Sequence, residues 1–338
     1  PSYLEVKSPG SLWNETFWAD YWIVTPEEFI RPAQELARYR SNRVPGIPNA
    51  RVRAVSLQKI YDDFGFGMEE PGAIKKFFQV KQPSYALLVG DGTFDYRNNL
   101  NQVQPPGVPP FEFGFGLIPD AGDRSALAQD VWYADLEGEG GSPDLILGRV
   151  CVRSEGEFRQ FIDKLITYET ASAGYWTRRF LLLADDEYQR YPDRPDELRF
   201  RHIEQCEALG TLAGNRLDLE KVYLTEFPFL GTKSKPGAAS ELSRQINKGA
   251  LIWAFFGHGS EHSLTHEEVF TVAQAQEIAN QNRVPFCFFG SCSVGRFDDI
   301  RSECIGEELV RMKGGAVATV AASTATPSGN NFVFARNL

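Results

Sequence analysis

Two reactive side chains follow apolar segments of this 338-residue chain. His258 comes directly after the apolar run at 251–256, and Cys292 comes shortly after the apolar run at 284–289. A thiol is nucleophilic as its thiolate, and a neighbouring imidazole can take the proton. The backbone N–H groups of Gly259 and Cys292 could then stabilise the oxyanion of a tetrahedral intermediate. This pattern predicts acyl transfer through a cysteine acyl-enzyme, with His258 first as base and then as acid.

The order of these residues along the chain excludes several arrangements. All four histidines precede Cys292. Papain-like enzymes place the cysteine before the histidine, and α/β-hydrolases place the nucleophile before the histidine. His-Gly followed one βα unit later by Ser-Cys fits a caspase-like arrangement instead. A metal site at His258, His262 and His266 is disfavoured, because the glycine after His258 and the preceding strand oppose a helix there.

The elements that must position these residues are strands alternating with helices. Apolar runs of strand length are separated by amphipathic helical segments, which favours an α/β fold with a mostly parallel sheet. Sites in such sheets lie at the carboxyl ends of the strands, where His258 and Cys292 are expected to be neighbours. Strands are predicted at 20–24, 50–57, 85–89, 144–147, 180–184, 221–224, 250–256, 285–289 and 316–321, and helices after Thr25 and at 71–80, 154–170, 197–212, 238–247, 272–280 and 303–313.

A long irregular segment at 93–142 interrupts this alternation, and connections of that length are usually functional or mobile. Four acids in or beside it, Asp91, Asp95, Asp130 and Asp135, could bind calcium through their oxygens. Their spacing matches no EF-hand, so turn formation is the simpler interpretation.

Composition narrows the class of protein further. Hydrophobic residues are 42% and charged residues 24%, as in ordinary globular proteins, and the net charge of -10 disfavours nucleic acid as a partner. No apolar run approaches the length of about 18 residues that a membrane span requires. The chain starts at Pro1, so it is expected to be a piece of a longer precursor with further domains. Four of the five cysteines are expected to be packing residues: Cys151, Cys206, Cys287 and Cys304.

Several segments resemble the gingipain-type cysteine peptidases, whose fold is caspase-like. The resemblance is carried by FFGHGSEH and GSCSVGRFDD, and it extends through KIYDDFGFG, YALLVGDGTFDYR and DLILGRVCVRS. It covers the chain from about Trp18 to the C-terminus. GDGTFDYR and CSVGRFDD are closer to the branch that contains PorU, the sortase of type IX secretion.

The resemblance implies a caspase-like α/β fold of mostly parallel sheets flanked by helices. It implies an N-terminal subdomain at 1–149 and a catalytic subdomain at 150–338. His258 would be the catalytic histidine, Cys292 the nucleophile, and Asp144, in PDLILGRV, the acid that orients His258.

Further properties follow from the same resemblance. Substrates would be proteins or peptides, the location would be secreted or at the cell surface, and catalysis would require no cofactor. Gingipains carry calcium, so structural calcium is an expectation, with its ligands unknown. The acid of the gingipain specificity pocket cannot be placed in this sequence, and cleavage after basic residues is therefore not implied.

Three alternatives to a peptidase stay open at this point. A PorU-like sortase would let an amine, and not water, attack the thioester. A non-catalytic binding module would keep the scaffold without a functional dyad. A thiol-dependent acyl hydrolase would turn over small esters and leave peptides intact.

Overall fold

The structure of the protein, a computed structural model, describes residues 11–14, 16–102, 105, 107–114, 126–138, 142–186 and 201–338. The chain divides into two compact units. Unit 1 contains residues 1–115, 126–159 and 298–300, and unit 2 contains residues 116–125, 160–297 and 301–338. The chain passes from unit 1 to unit 2 after residue 159, within the helix Glu155–Thr170. This point lies ten residues after the predicted boundary at 149/150, and the two predicted subdomains stay a prediction.

Unit 1 is built on a four-stranded parallel sheet of order β2-β1-β3-β6. Trp22 on β1 packs edge-to-face on Phe77 of helix α3, with ring centroids 5.1 Å apart, and both side chains are fully buried. The elements of this part of the chain are β1 Tyr21–Thr25, α1 Ile30–Arg40, β2 Val52–Ser56, α2 Leu57–Phe64, α3 Pro71–Lys81, β3 Tyr85–Val89, β4 Glu112–Gly114, β5 Ala126–Ala128, α4 Val131–Ala134 and β6 Ile146–Val150.

Unit 2 is built on a five-stranded parallel sheet of order β13-β12-β9-β7-β8. A small antiparallel pair, β10 and β11, lies in the connection that follows β9. After helix α5 (Glu155–Thr170), the elements are β7 Arg179–Ala184, α6 Arg201–Ala213, β8 Asp218–Tyr223, α7 Pro236–Asn247, β9 Ile252–Phe256, β10 Ser263–Leu264, β11 Phe270–Thr271, α8 Val272–Gln276, β12 Phe286–Gly290, α9 Ile305–Arg311, β13 Ala318–Ala321 and α10 Ser328–Ala335.

Both faces of this second sheet are covered, because alternate residues of a strand point to opposite faces. On β9, Trp253 and Phe255 join the core formed with α7 and α9, while Ala254 and Phe256 join the core formed with α6 and α10. Parallel strands that are buried on both faces read as continuous apolar runs. This is why the strands that end near His258 and Cys292 were recognisable in the sequence.

The predicted α/β class with mostly parallel sheets is confirmed. The predicted strands and helices agree with the structure apart from their ends. The helices α2, α4 and α10 and the short strands β4, β5, β10 and β11 were not predicted. The start of the helix predicted at 197 and much of the irregular segment at 93–142 lie outside the described residues. Within the described part of the chain, no helix is long and apolar enough to cross a membrane.

Candidate active site

The two candidate catalytic residues follow neighbouring strands at the same level of the sheet. Strands β9 and β12 are parallel partners, and their last pair in register is Phe256 with Gly290. His258 and Cys292 each come two residues after that pair. The structure therefore brings together the two loops that the sequence predicted to be adjacent.

Direct packing joins these loops. A Cβ atom on Gly259 would lie 2.2 Å from Ser291 Oγ and 3.0 Å from Val294 Cγ2, so a larger residue does not fit at position 259 without movement. The Gly259 N–H and the Cys292 N–H donate no hydrogen bond to any residue in the described ranges. Two unused donors beside a candidate nucleophile are what an oxyanion hole needs.

The His258 backbone is held on both sides. Its N–H donates to Asp185 Oδ2 at 2.9 Å, and its carbonyl accepts from the Thr265 N–H at 2.8 Å. Two other imidazoles surround its ring. The His266 ring centroid is 4.5 Å away at 35°, and the buried His202 ring is 5.8 Å away at 82°.

Asp185 lies at the carboxyl end of β7, the strand beside β9, and is fully buried. A Cβ atom on Gly257 would come within 2.5 Å of Asp185 Cβ, so the absence of a side chain at 257 lets this carboxyl reach the His258 backbone. Burial raises the pKa of the Asp185 carboxyl well above its usual range. Asp185 is thus a polar support beneath the loop that carries His258.

Two further acids, Asp186 and Glu267, gather around Asp185. One oxygen from each of the three carboxyls lies within 4.8 Å of the others, and all three residues are buried. Burial, followed by the charge of Asp186, raises the pKa of Glu267. The Lys235 ammonium forms a buried ion pair with Asp186 and donates to the Leu224 carbonyl at 2.7 Å, so a lysine supplies part of the compensating charge.

The Cys292 thiol is half-buried and lies against the backbone of Thr326. The Thr326 N–H is 3.5 Å from the sulfur, and the Thr326 hydroxyl donates to the Ser291 carbonyl at 3.4 Å. The Cys292 thiol in turn donates to the Thr326 carbonyl at 3.8 Å. The next residue, Ser293, has a φ of 54°, and its N–H bonds to the Thr324 carbonyl, so the loop is fixed by long-range contacts.

The other predicted acids have local partners. Asp144 is exposed and lies two residues before the start of β6, and its carboxylate accepts from the Leu136 and Glu137 N–H groups at 2.7 and 3.2 Å. Its role as the acid that orients His258 stays a prediction. Two of the four acids that were considered as calcium ligands also have partners. The Asp95 carboxylate accepts from two backbone N–H groups, and Asp130 Oδ2 forms an ion pair with Arg149 Nε at 2.6 Å.

Three of the four remaining cysteines are fully buried, as expected for packing residues. Cys206, Cys287 and Cys304 have no exposed surface, and burial raises the pKa of the Cys206 and Cys287 thiols. Cys151 is only partly buried. None of the five cysteines, which all lie in the described ranges, forms a disulfide.

Sequence reasoning missed two contributors to this site, Asp185 and Thr326. Asp185 carried a usable signal, because it follows the apolar strand β7 just as His258 follows β9. Thr326 carried none, because its proximity to Cys292 arises from the return of the chain after β13.

The fold and the paired loops define a caspase-like α/β protein with a cysteine and a histidine at the carboxyl edge of a parallel sheet. The chain belongs to peptidase family C25, since the model of that family matches residues 16–338. It is therefore of the cysteine-type peptidase class. No curated protein matches the chain.

Solved structures agree with this fold. The arginine-specific cysteine proteinase gingipain R (RgpB) matches with a TM-score of 0.66 at 18% identity, over 91% of this chain and 63% of that chain. RgpB in the complex of its pro- and mature domains, from Porphyromonas gingivalis, matches with a TM-score of 0.68 at 18% identity, over 92% and 66% of the two chains. The present chain thus spans less than two thirds of these neighbours, and the similarity concerns the fold.

Proposed function

We propose that this chain is the catalytic part of a cysteine endopeptidase in which Cys292 is the nucleophile and His258 the general base and acid. The observation that carries the proposal is the packing of the Gly259 loop against the Ser291–Cys292 loop at the ends of two paired strands. This arrangement presents a thiol, an imidazole and two unused N–H donors from rigid elements.

The reaction follows from the chemistry of these groups. His258 takes the proton from Cys292 Sγ, and the thiolate adds to the carbonyl carbon of the scissile peptide bond. The Gly259 and Cys292 N–H groups bind the resulting oxyanion. The imidazolium then protonates the leaving amine as the C–N bond breaks, which leaves a thioester. Water attacks the thioester with His258 again as base, releasing a carboxylic acid and the free thiol.

Two acids are candidates for positioning His258. The resemblance to gingipains assigns the role to Asp144, whereas the hydrogen bond to the His258 backbone favours Asp185. Asp185→Asn keeps oxygen in place as an acceptor, and Asp185→Ala removes it. If Asp185 is the support, kcat falls more in the alanine variant than in the asparagine variant, while Asp144→Asn leaves kcat unchanged. The reverse pattern would assign the role to Asp144.

The test of catalysis is a digest of a mixed peptide library, read by mass spectrometry. Cys292→Ala and His258→Ala are each expected to lower cleavage at least about a thousandfold. Cys151→Ala is the matched control, because it removes another partly buried thiol and should leave cleavage unchanged. Cleavage that persists in Cys292→Ala would refute the proposal.

An added amine distinguishes hydrolysis from transpeptidation in the same digest. Water and an amine both attack a thioester, and the predominance of amine-capped products would identify a sortase. Ester turnover without peptide cleavage would identify a small-ester hydrolase. We also propose that the substrates are proteins or peptides and that the chain functions outside the cell as part of a longer exported precursor, as the gingipain resemblance suggests.

A further inference from the structure

The hairpin of β10 and β11 follows the loop that carries His258, and His266 lies in the turn that joins its two strands. The hairpin is anchored in the core of unit 2, where Leu264 and Phe270 are buried. The Phe270 ring packs edge-to-face on Trp253 of β9, with ring centroids 5.2 Å apart. The position of His266 is therefore set by an element that is packed into the sheet.

Backbone contacts fold this turn back onto the candidate base. The Thr265 N–H donates to the His258 carbonyl at 2.8 Å. Gly259 and Leu264 form an isolated antiparallel bridge. Because both contacts join residues next to His258 with residues next to His266, they bring the two histidines together through the main chain.

The backbone of the turn is strained at Thr265. Its φ is 64°, and a β-branched residue in the left-handed region is an outlier. Such conformations persist only where the surrounding structure fixes them, and they cluster at functional sites. Thr265 is 4% exposed and Glu267 is 7% exposed, whereas His266 between them is exposed. The strained turn thus presents His266 from between two buried residues.

Two imidazoles confine the ring of His258. The His266 ring lies against it, with centroids 4.5 Å apart and an angle of 35° between the planes. His202, buried on α6, meets it edge-on at 5.8 Å and 82°. A general base must be held in the orientation in which it takes its proton, and rings packed on two sides restrict rotation of the imidazole.

The contact with His266 also has an electrostatic consequence. Histidine changes its charge between about pH 5 and 8, and the exposed His266 can exchange a proton with water. A like charge a few ångströms away disfavours a second charge, so two neighbouring imidazoles take up protons in coupled steps. A charge on His266 therefore keeps His258 a neutral base to lower pH.

Other titratable and charged groups surround this pair. An ion pair at 3.5 Å joins Glu261 of the His258 loop to Arg296 of the loop after β12. Burial raises the pKa of the Asp185 and Glu267 carboxyls, which favours their neutral forms. The groups come from the hairpin and its loop, α6, the end of β7, the start of α7 and the loop after β12: Glu261, His262, Glu267, Glu268, His202, Asp185, Asp186, Lys235, Cys292 and Arg296. His266 differs from the buried His202 in combining ring contact with His258 and exposure to water.

We propose that His266 is a positioning residue of the active site. Its ring fixes the orientation of the His258 imidazole, and its charge sets the pH below which His258 stops acting as a base. His266 exchanges a proton with solvent only and takes no part in bond breaking. The inference rests on the proposed role of His258.

Two substitutions in the full chain separate the ring of His266 from its charge. His266→Phe keeps a ring and removes the charge, so the acid limb of the pH profile of kcat/KM should move up by about 0.5 pH unit, as expected for a unit charge 4.5 Å away in water. His266→Ala also removes the ring, so kcat at about pH 8 should fall about tenfold while KM stays within about twofold. His266→Phe should keep kcat within about threefold at that pH. The substrate is the peptide that is cleaved fastest in the library digest.

His262→Phe is the matched control, because it removes another exposed imidazole from the same loop. It should leave the acid limb within about 0.2 pH unit and kcat within about twofold of wild type, since exposed charges that are not in contact are screened. An acid limb that stays in place in His266→Phe would overturn the proposal. Equal losses of kcat in His262→Phe and His266→Ala would overturn it as well.

Alkylation of Cys292 by iodoacetamide gives a readout that needs no peptide cleavage. The thiolate is the reacting form, and His258 takes the thiol proton, so the pH midpoint of alkylation should also rise in His266→Phe. Mass spectrometry of the peptide that contains Cys292 measures the rate. A raised midpoint together with cleavage that persists in Cys292→Ala would support this inference and refute the peptidase. Cleavage that depends on Cys292 and His258, with neither profile moved by His266→Phe, would refute this inference and leave the peptidase intact.

Discussion

The contact between Gly259 and Ser291 can be tested by a double-mutant cycle. A Cβ atom at position 259 would lie 2.2 Å from Ser291 Oγ, a distance that requires movement of one loop. Overpacking of this kind typically costs 1–3 kcal/mol, so we expect Gly259→Ala to lower the free energy of unfolding by about 2 kcal/mol. Peptide cleavage should fall as well, because the displaced loops carry His258 and Cys292.

Ser291→Ala should relieve part of this cost. The Ser291 hydroxyl is buried and has no hydrogen-bond partner in the part of the chain described, so its removal alone should change stability by no more than about 0.5 kcal/mol. In the double variant the oxygen clash is gone, while Val294 Cγ2 at 3.0 Å and Ser291 Cβ at 3.3 Å still constrain the new methyl group. We therefore expect the double variant to recover about half of the loss, a coupling of about 1 kcal/mol.

Urea unfolding of the four proteins measures this coupling. The restriction that alanine imposes on the unfolded chain occurs in both variants with Gly259→Ala and cancels in the cycle. Distant sites add within about 0.5 kcal/mol. Additivity within that margin would refute the direct contact and, with it, the observation on which the proposed active site rests.

Two further predictions concern buried charges. The pKa of Asp185 is raised in the folded protein, so above the pKa of the unfolded state the folded chain binds more protons and the free energy of unfolding falls as the pH rises. Asp185→Asn should make this fall shallower when urea unfolding is measured from pH 4 upward. A pH dependence of the free energy of unfolding equal to that of wild type would contradict the prediction. The Lys164 ammonium contacts the carbonyls of Val310, Met312 and Gly314 at the end of α9, so Lys164→Met should lower the free energy of unfolding by about 2–3 kcal/mol. The exposed Lys233→Met is its control and should change stability by less than about 0.5 kcal/mol, and equal effects of the two lysine variants would show that the contacts of Lys164 contribute nothing.

The strands β1, β7, β9 and β12 were predictable because they are buried on both faces and therefore continuously apolar, whereas the less buried β2 was predicted from its alternation. Strand boundaries were less predictable. The strand predicted from Asp144 begins at Ile146, because the Asp144 N–H binds the Ala134 carbonyl and its carboxylate binds the turn after α4. A side chain that can bond the nearby backbone competes with strand pairing, and the partner here lies before it in the chain.

Two of the helices that were missed, α2 and α10, show different limits of sequence reasoning. The α2 segment has an amphipathic pattern, with Leu57, Ile60 and Phe64 buried, but it follows β2 without a turn residue. The α10 segment contains Gly329, Asn330 and Asn331, which are poor helix formers. Its Phe332 ring packs against Phe256 at 6.1 Å, so tertiary contact sustains a helix that local propensity does not favour.

The sequence alone determined the parallel α/β class and the expectation that His258 and Cys292 end neighbouring strands. Both follow from local rules, since apolar runs define buried strands and polar residues after them lie at a common edge. Only the tertiary structure decided that Asp185 holds the His258 backbone and that Thr326 faces the Cys292 sulfur. These contacts join residues far apart in the chain, and their partners are set by strand order and register, which no local pattern encodes.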